Sequence, residues 1–194
     1  MTTIIGGTTG IAPAQWATAG RPSSPLNGQL GWNTTIGGLE TWNGSAWGSV
    51  TGAPAFSVFR NSNFGTIASG TTFVVPFNQA EFDTTTAFNT STYRFTPQVA
   101  GYYQVNAQVN MISAGGSVTR IITFINKNGT VYKYGNDVSA TINSRAIVSS
   151  VVFLNGSTDY LTVSSYIEGT GSLSLGGTTS GYDSYFNGVM VRGA

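Results

Sequence analysis

The chain has 194 residues, no cysteine, no histidine and a net charge of +1, with only 8% of its residues charged against about 25% in an average protein. That composition excludes a disulfide framework, thiolate and imidazole metal sites, and any catalysis that needs a histidine base. It leaves no electrostatic footprint for nucleic acid or for an anionic membrane surface.

The opening segment, Met1 to Gly10, lacks the basic and apolar regions of a signal peptide. No stretch approaches ~18 apolar residues, so membrane insertion is not expected. Residues 1–54 read as an extended arm, rich in Gly, Pro and Thr, that holds all four tryptophans: Trp16, Trp32, Trp42 and Trp47. Two alternating segments, Gly28–Thr35 and Gly38–Asn43, flank Thr35-Ile-Gly-Gly38 and predict a β-hairpin. A second turn at Asn43-Gly44 leads to Trp47. Large aromatics in so thin a segment need a partner surface. The four tryptophans are therefore expected to pack the hairpin and its contact with neighbouring copies; a sugar-stacking platform is the alternative. The arm is expected to order on docking or oligomerisation.

Thr51-Gly-Ala-Pro-Ala55 is the expected junction to a second domain, residues 55–194. Strand signals then follow closely, with no amphipathic helix. In Gly101–Met111, Tyr103, Val105, Ala107, Val109 and Met111 alternate with Gln104, Asn106, Gln108 and Asn110. That is the period of a strand with one apolar face and one amide face, the latter solvated or packed in a polar subunit contact. Val118–Ile125 and Thr130–Tyr134 predict a hairpin through Asn128-Gly129. Arg145–Leu154 is apolar on both faces, as in a central strand or an edge buried between subunits. Asn155-Gly156 turns into a strand over Asp159–Ile167. Glu168 to Gly181 reads as a Gly/Ser/Leu loop, and Tyr185–Val191 as a last strand in the middle of a sheet. Many short strands joined by Gly- and Asn-rich turns indicate a sandwich or jelly roll.

Five stretches carry a resemblance. Ala55-Phe-Ser-Val58, Phe77-Asn-Gln-Ala-Glu-Phe-Asp83, Tyr93–Val105 with its Phe95, Gly101 and paired tyrosines, Leu154–Leu161, and Ser184–Val191 occur in collinear order. Together they resemble the globular head of the first complement component and its tumour-necrosis-factor relatives. The resemblance implies an all-β, ten-strand jelly roll assembled as a tight homotrimer, often with ligands on its outer surface or apex. Pro97 and Val99-Ala100 depart from that pattern without threatening the fold. In the arm, Arg21–Thr34, Leu39-Glu40, Asn43-Gly44 and Trp47 are similar to a segment recurrent in bacteriophage tail fibres and related virion appendages, where it is a linking or attachment hairpin.

Enzymatic roles find little support. Glu81 and Asp83 share a strand face at a spacing compatible with acid/base work, although a surface pair is the plainer reading. Asp83, Asp137, Asp159, Glu168 and Asp183 lack the ordered spacing of a calcium loop. Gly169-Thr-Gly171 lacks the Lys and helix of a phosphate loop. No cofactor and no metal are expected. Arg120, Lys127, Lys133 and Arg145 fall on adjacent strands and are expected to be exposed and unpaired, or to hold a carboxylate of a neighbouring subunit.

The reading that results is a virion protein on the surface of a phage particle, a trimeric tail fibre or spike anchored to other virion proteins by its arm. It would touch a host-surface glycan through Tyr132, Tyr134, Asn136, Tyr182 and Tyr185. The alternative is a capsid decoration trimer that stabilises the head. The short length and missing shaft favour decoration, and the arm motif favours the fibre.

Overall fold

The computed structural model describes residues 12–50, 53–139 and 144–194. The opening segment and the first two residues of the arm–head junction lie outside these.

Period-two alternation becomes strand almost wherever it occurs. In the arm, β1 (Ala14–Trp16), β2 (Leu30–Asn33), β3 (Gly38–Trp42) and β4 (Trp47–Ser49) form a sheet in that order. The expected hairpin is its centre: Leu30 pairs with Thr41 and Asn33 with Gly38. Asn43 makes the second turn by accepting the N–H groups of Ser45 and Ala46 on its side-chain oxygen, while Gly44 supplies the positive φ of 101°. The arm differs from expectation in its extent. β1 adds in parallel to β2, so a four-stranded sheet replaces an extended segment with one hairpin. Among the described residues the only helical turn is the 3-10 turn Thr18–Gly20.

The rest is a two-layer sandwich. Its strands are β5 (Ala55–Phe59), β6 (Phe64–Ile67), β7 (Thr71–Val74), β8 (Gln79–Asp83), β9 (Phe88–Asn89), β10 (Arg94–Phe95), β11 (Ala100–Ala114), β12 (Val118–Lys127), β13 (Thr130–Ser139), β14 (Ser144–Asn155), β15 (Leu161–Gly169), β16 (Ser172–Leu175) and β17 (Tyr185–Gly193). The front sheet runs β8-β5-β17-β11-β14, with β16 continuing on β11 past the end of β17 and β6 beside β16. The back sheet runs β9-β10-β15-β12-β13, with β7 also on β15. The chain changes sheet between β6 and β7, β7 and β8, β8 and β9, β10 and β11, β11 and β12, β13 and β14, β14 and β15, and β15 and β16, which is jelly-roll winding. Among the described residues the sheets hold six and seven strands, more than the ten expected, because several are pieces of two to five residues.

β11 follows its alternation: Tyr103, Val105, Val109 and Met111 are wholly buried. Around Phe56 an aromatic cluster joins both sheets, with Phe95 stacked at 4.0 Å and Phe186 edge-on at 4.9 Å. Burial pushes the Tyr103 hydroxyl well above the usual tyrosine range, so it stays a donor, to Val99 O at 2.7 Å. β17 lies between β11 and β5, as its apolar pattern predicts. The region from Glu168 to Gly181 is not wholly loop. Its β16 pairs with the far end of β11 and sends Leu173 and Leu175 into the core. Four alternating residues are too few to signal a strand by themselves; the overhang of β11 supplies the partner.

Candidate functional site

Two features lie outside the packed core: the arm sheet and the outward face of the front sheet.

In the arm sheet the Trp47 ring is buried, with Trp16 edge-on at 5.0 Å and Trp42 at 5.7 Å; Trp32 is half-buried. The Trp16 ring lies over Gly31, where a Cβ would come within 2.0 Å of it, so only glycine fits there. Beneath it Glu40, fully buried, accepts from Trp16 Nε1 at 2.5 Å, Asn33 Nδ2 at 3.1 Å, and Arg21 through Nε at 3.1 Å and Nη2 at 2.7 Å. Arg21 Nη2 also donates to Gln98 O of the head at 3.0 Å. Asn43 Nδ2 contacts the Ala194 carbonyl. Ile36 packs against the main core. Within the chain the tryptophans pack the arm sheet itself, as expected of the hairpin; Trp16, Trp32 and Trp42 remain half-buried.

The outward face of β14, β11 and β17 can be read row by row from its register. Phe153 lies opposite Tyr102, with ring centroids 5.4 Å apart. Val151, Gln104 and Val189 form the next row, and Ser149, Asn106 and Asn187 the third. Ile147, Gln108 and Tyr185 form the fourth. Tyr102, Ile147, Val151, Phe153, Val189 and Val191 are all exposed. The amides are tied to one another. Gln104 Nε2 donates to Asn106 Oδ1 and Ser149 Oγ, and Asn106 Nδ2 donates to Asn187 Oδ1. β14 is an edge strand by its pairing, with Ala146, Val148, Val152 and Leu154 inward and three large apolar residues outward.

The five residues expected to face a ligand do not converge. Tyr132 and Tyr134 are exposed on β13 at the rim of the back sheet. Tyr134 stands edge-on to Phe124 at 4.9 Å. Asn136 is occupied, accepting the Ile147 N–H at 2.6 Å. Tyr182 is exposed in the loop before β17, and Tyr185 is half-buried on β17 in the front sheet. Their alternation and aromaticity were visible in sequence; which sheet each belongs to was not.

The charges also resolve differently from expectation. Arg120 pairs with Asp137, Lys127 with Asp159 and Arg145 with Asp183, at 2.7 to 2.8 Å, and Lys133 lies over the Tyr132 ring. Three of the four cations are therefore paired within the chain. Glu81 accepts from Ser57 Oγ, and the Asp83 carboxylate caps a turn by accepting from Thr85 and Phe88 N–H. Glu168 accepts from the Tyr166 hydroxyl. Among the described residues no three acidic side chains come together as a metal cluster would require.

Asp159 ties the turn after β14 to the β12–β13 hairpin. Burial works to raise its carboxyl. Hydrogen bonds from Lys127, Asn128 Nδ2 and Asn155 N outweigh that and hold it below the usual aspartate range. A carboxyl depressed on folding stabilises above its unfolded value, near ~3.9, and ceases to as pH falls through the lower folded value. The melting temperature of the native chain should therefore exceed that of Asp159→Asn at pH 6, and the gap should close below about pH 4. A gap independent of pH would overturn this.

Solved structures were compared with the whole arrangement. The globular domain of the zebrafish complement 1qA protein superposes with a TM-score of 0.52 at 20% identity, covering 73% of this chain and 99% of that one. Murine APRIL, at pH 8.0, superposes with a TM-score of 0.53 at 12% identity, covering 72% and 99%. The fold is a complement/tumour-necrosis-factor-type jelly roll. At these identities the likeness is one of fold. No family model matches the sequence, and no curated protein matches it. In this jelly roll the apolar face just described is the outward side of the sheet that carries β5, β17, β11 and β14.

Proposed function

We propose that the chain is a structural subunit of a bacteriophage particle. It is a homotrimer whose arm sheet faces the particle and whose jelly-roll head meets the host surface. The observation that carries the trimer is the apolar strip on β14, β11 and β17. Tyr102, Val151, Phe153, Val189 and Val191 are exposed together at one end of this sheet face, with Ile147 beyond the amide row, and an exposed apolar patch of that kind marks a protein contact. A second copy covers it best. In a closed ring of three the contact is heterologous, so this face meets a different surface of the next copy. The particle assignment rests on the arm, whose Arg21–Trp47 segment is similar to the attachment hairpins of virion appendages.

A specific observation favours the second reading, a capsid decoration trimer. Arg21 ties the arm sheet to the head through Gln98, which holds the arm against the head as suits a short subunit lying flat on a shell. Cryo-electron microscopy of purified virions, with copy number by quantitative gel, decides between them. A few trimers at the tail support host attachment, and many trimers over the head support decoration. Absence from the particle overturns both.

A further inference from the structure

A cleft of about 340 Å³ opens on the back sheet where the β9–β10 turn meets the start of β15. Ligand pockets run from roughly 300 to 1,000 Å³. It is lined by Ser91, Thr92, Tyr93, Arg94, Tyr160 and Thr162, among others. We propose that it binds an acidic saccharide, with the Arg94 guanidinium on the sugar carboxylate. The inference rests on the reading of the head as a surface-binding module, and deepens it by naming the ligand class.

Three observations carry it. First, Arg94 holds its guanidinium carbon over the Tyr160 ring, 4.0 Å from its centroid. Stacking holds a guanidinium by its face and leaves its in-plane N–H donors free. None of the ion pairs among the described residues involves Arg94, whereas Arg21, Arg120 and Arg145 each hold a carboxylate. Second, the wall beside it is locally strained and locally braced. Tyr93 has φ +59°, a conformation costly for a residue with a large side chain. Asn89 Oδ1 holds the turn by accepting from Ser91 and Thr92 N–H. Tyr160 is fixed in turn by its N–H bond to Asn128 Oδ1. The cation is therefore positioned before any ligand arrives. Third, one cation among three Ser/Thr hydroxyls and two tyrosine side chains fits one carboxylate on a polyhydroxylated ring. It does not fit a polyanion such as nucleic acid, which needs a row of cations.

The cleft is on the back sheet and the proposed trimer contact is on the front sheet, so assembly leaves three cations exposed. Three weak sites on one rigid trimer gain from avidity on a repeating polymer.

The test is titration of the full-length protein with trigalacturonic acid, followed by NMR, with neutral galactotriose in parallel. Expected is saturable binding of the acid form, little of the neutral one, and weakening as salt rises. Arg94→Gln should lower affinity at least tenfold and Arg94→Lys less, because the ammonium keeps the charge and loses the planar fork. Lys133→Gln should leave affinity within about twofold, its cation lying off the cleft on the Tyr132 ring. Circular dichroism checks that each variant is folded. Equal binding of the neutral sugar, no binding of the acid one, or full affinity in Arg94→Gln overturns the inference. Tighter binding of a glycerol phosphate trimer overturns the carboxylate assignment in favour of a phosphate polymer. A protein found on virions that ignores trigalacturonate sinks only this inference. One that binds it but is absent from virions sinks only the particle reading.

Discussion

Val151→Asp combined with Phe153→Ser is expected to convert the proposed trimer into folded monomers. Both side chains are exposed on the single chain, so the substitutions leave the sandwich interior untouched. Full burial of such a side chain is worth about 1.5–3 kcal/mol; Val151 and Phe153 are 48% and 40% exposed, so covering each is worth about half of that, and a carboxylate placed unpaired in a closed contact costs several kcal/mol more. The strip occurs once per copy, so a closed trimer suffers the loss three times. Light scattering at micromolar concentration should report three chains for the native protein and one for the double variant, with unchanged far-ultraviolet circular dichroism. A native monomer, or a double variant that remains trimeric, overturns the assembly proposal. Asn106→Ala provides a graded comparison. It removes the hub of the amide network on the same face and should weaken the assembly without abolishing it.

The second large effect is expected at Glu40. Its carboxylate is fully buried and accepts from three side chains. Glu40→Ala leaves Arg21, whose side chain is only 15% exposed, without its anion. Breaking a buried pair from one side costs about 3–5 kcal/mol. The cost falls on the arm, because β1 to β4 form a sheet of their own and meet the head through few contacts, Arg21 to Gln98 O among them. All four tryptophans are in the arm, so intrinsic tryptophan fluorescence reports this sheet alone. Glu40→Ala should shift its emission to the red and open residues 21–50 to protease. The head should keep its thermal transition. Glu40→Gln retains an acceptor for Trp16 or Asn33 and should fall between. Native emission and native protease resistance in Glu40→Ala would show that Arg21 does not hold the arm.

Together these variants separate the arm from the assembly face. Glu40→Ala should leave the trimer intact while loosening attachment to a particle. The Val151/Phe153 variant should keep the arm ordered.

The sequence by itself determined the elements that repeat at short range. β11 was legible because its five apolar residues alternate with four amides, and successive side chains on a strand point to opposite faces. Asn43-Gly44, Asn128-Gly129 and Asn155-Gly156 marked their turns because few residues adopt positive φ. The order of strands, carried by short motifs from Ala55 to Val191, was enough to indicate the jelly roll. The tertiary structure decided whatever depends on register between distant strands, where a slip of one residue moves a side chain to the opposite face. It made β14 an edge whose outward residues reach solvent, and it gave Arg120, Lys127 and Arg145 carboxylate partners 17, 32 and 38 residues away. It also buried Glu40 beneath Trp16, which lies far from it along the chain. Tyr132, Tyr134, Asn136, Tyr182 and Tyr185 failed to gather because aromatic character is local, whereas convergence is set by which sheet each strand joins. Arg94 drew no notice in the sequence for the same reason: only the pairing of Phe95 with Leu161 brings its guanidinium onto the Tyr160 ring.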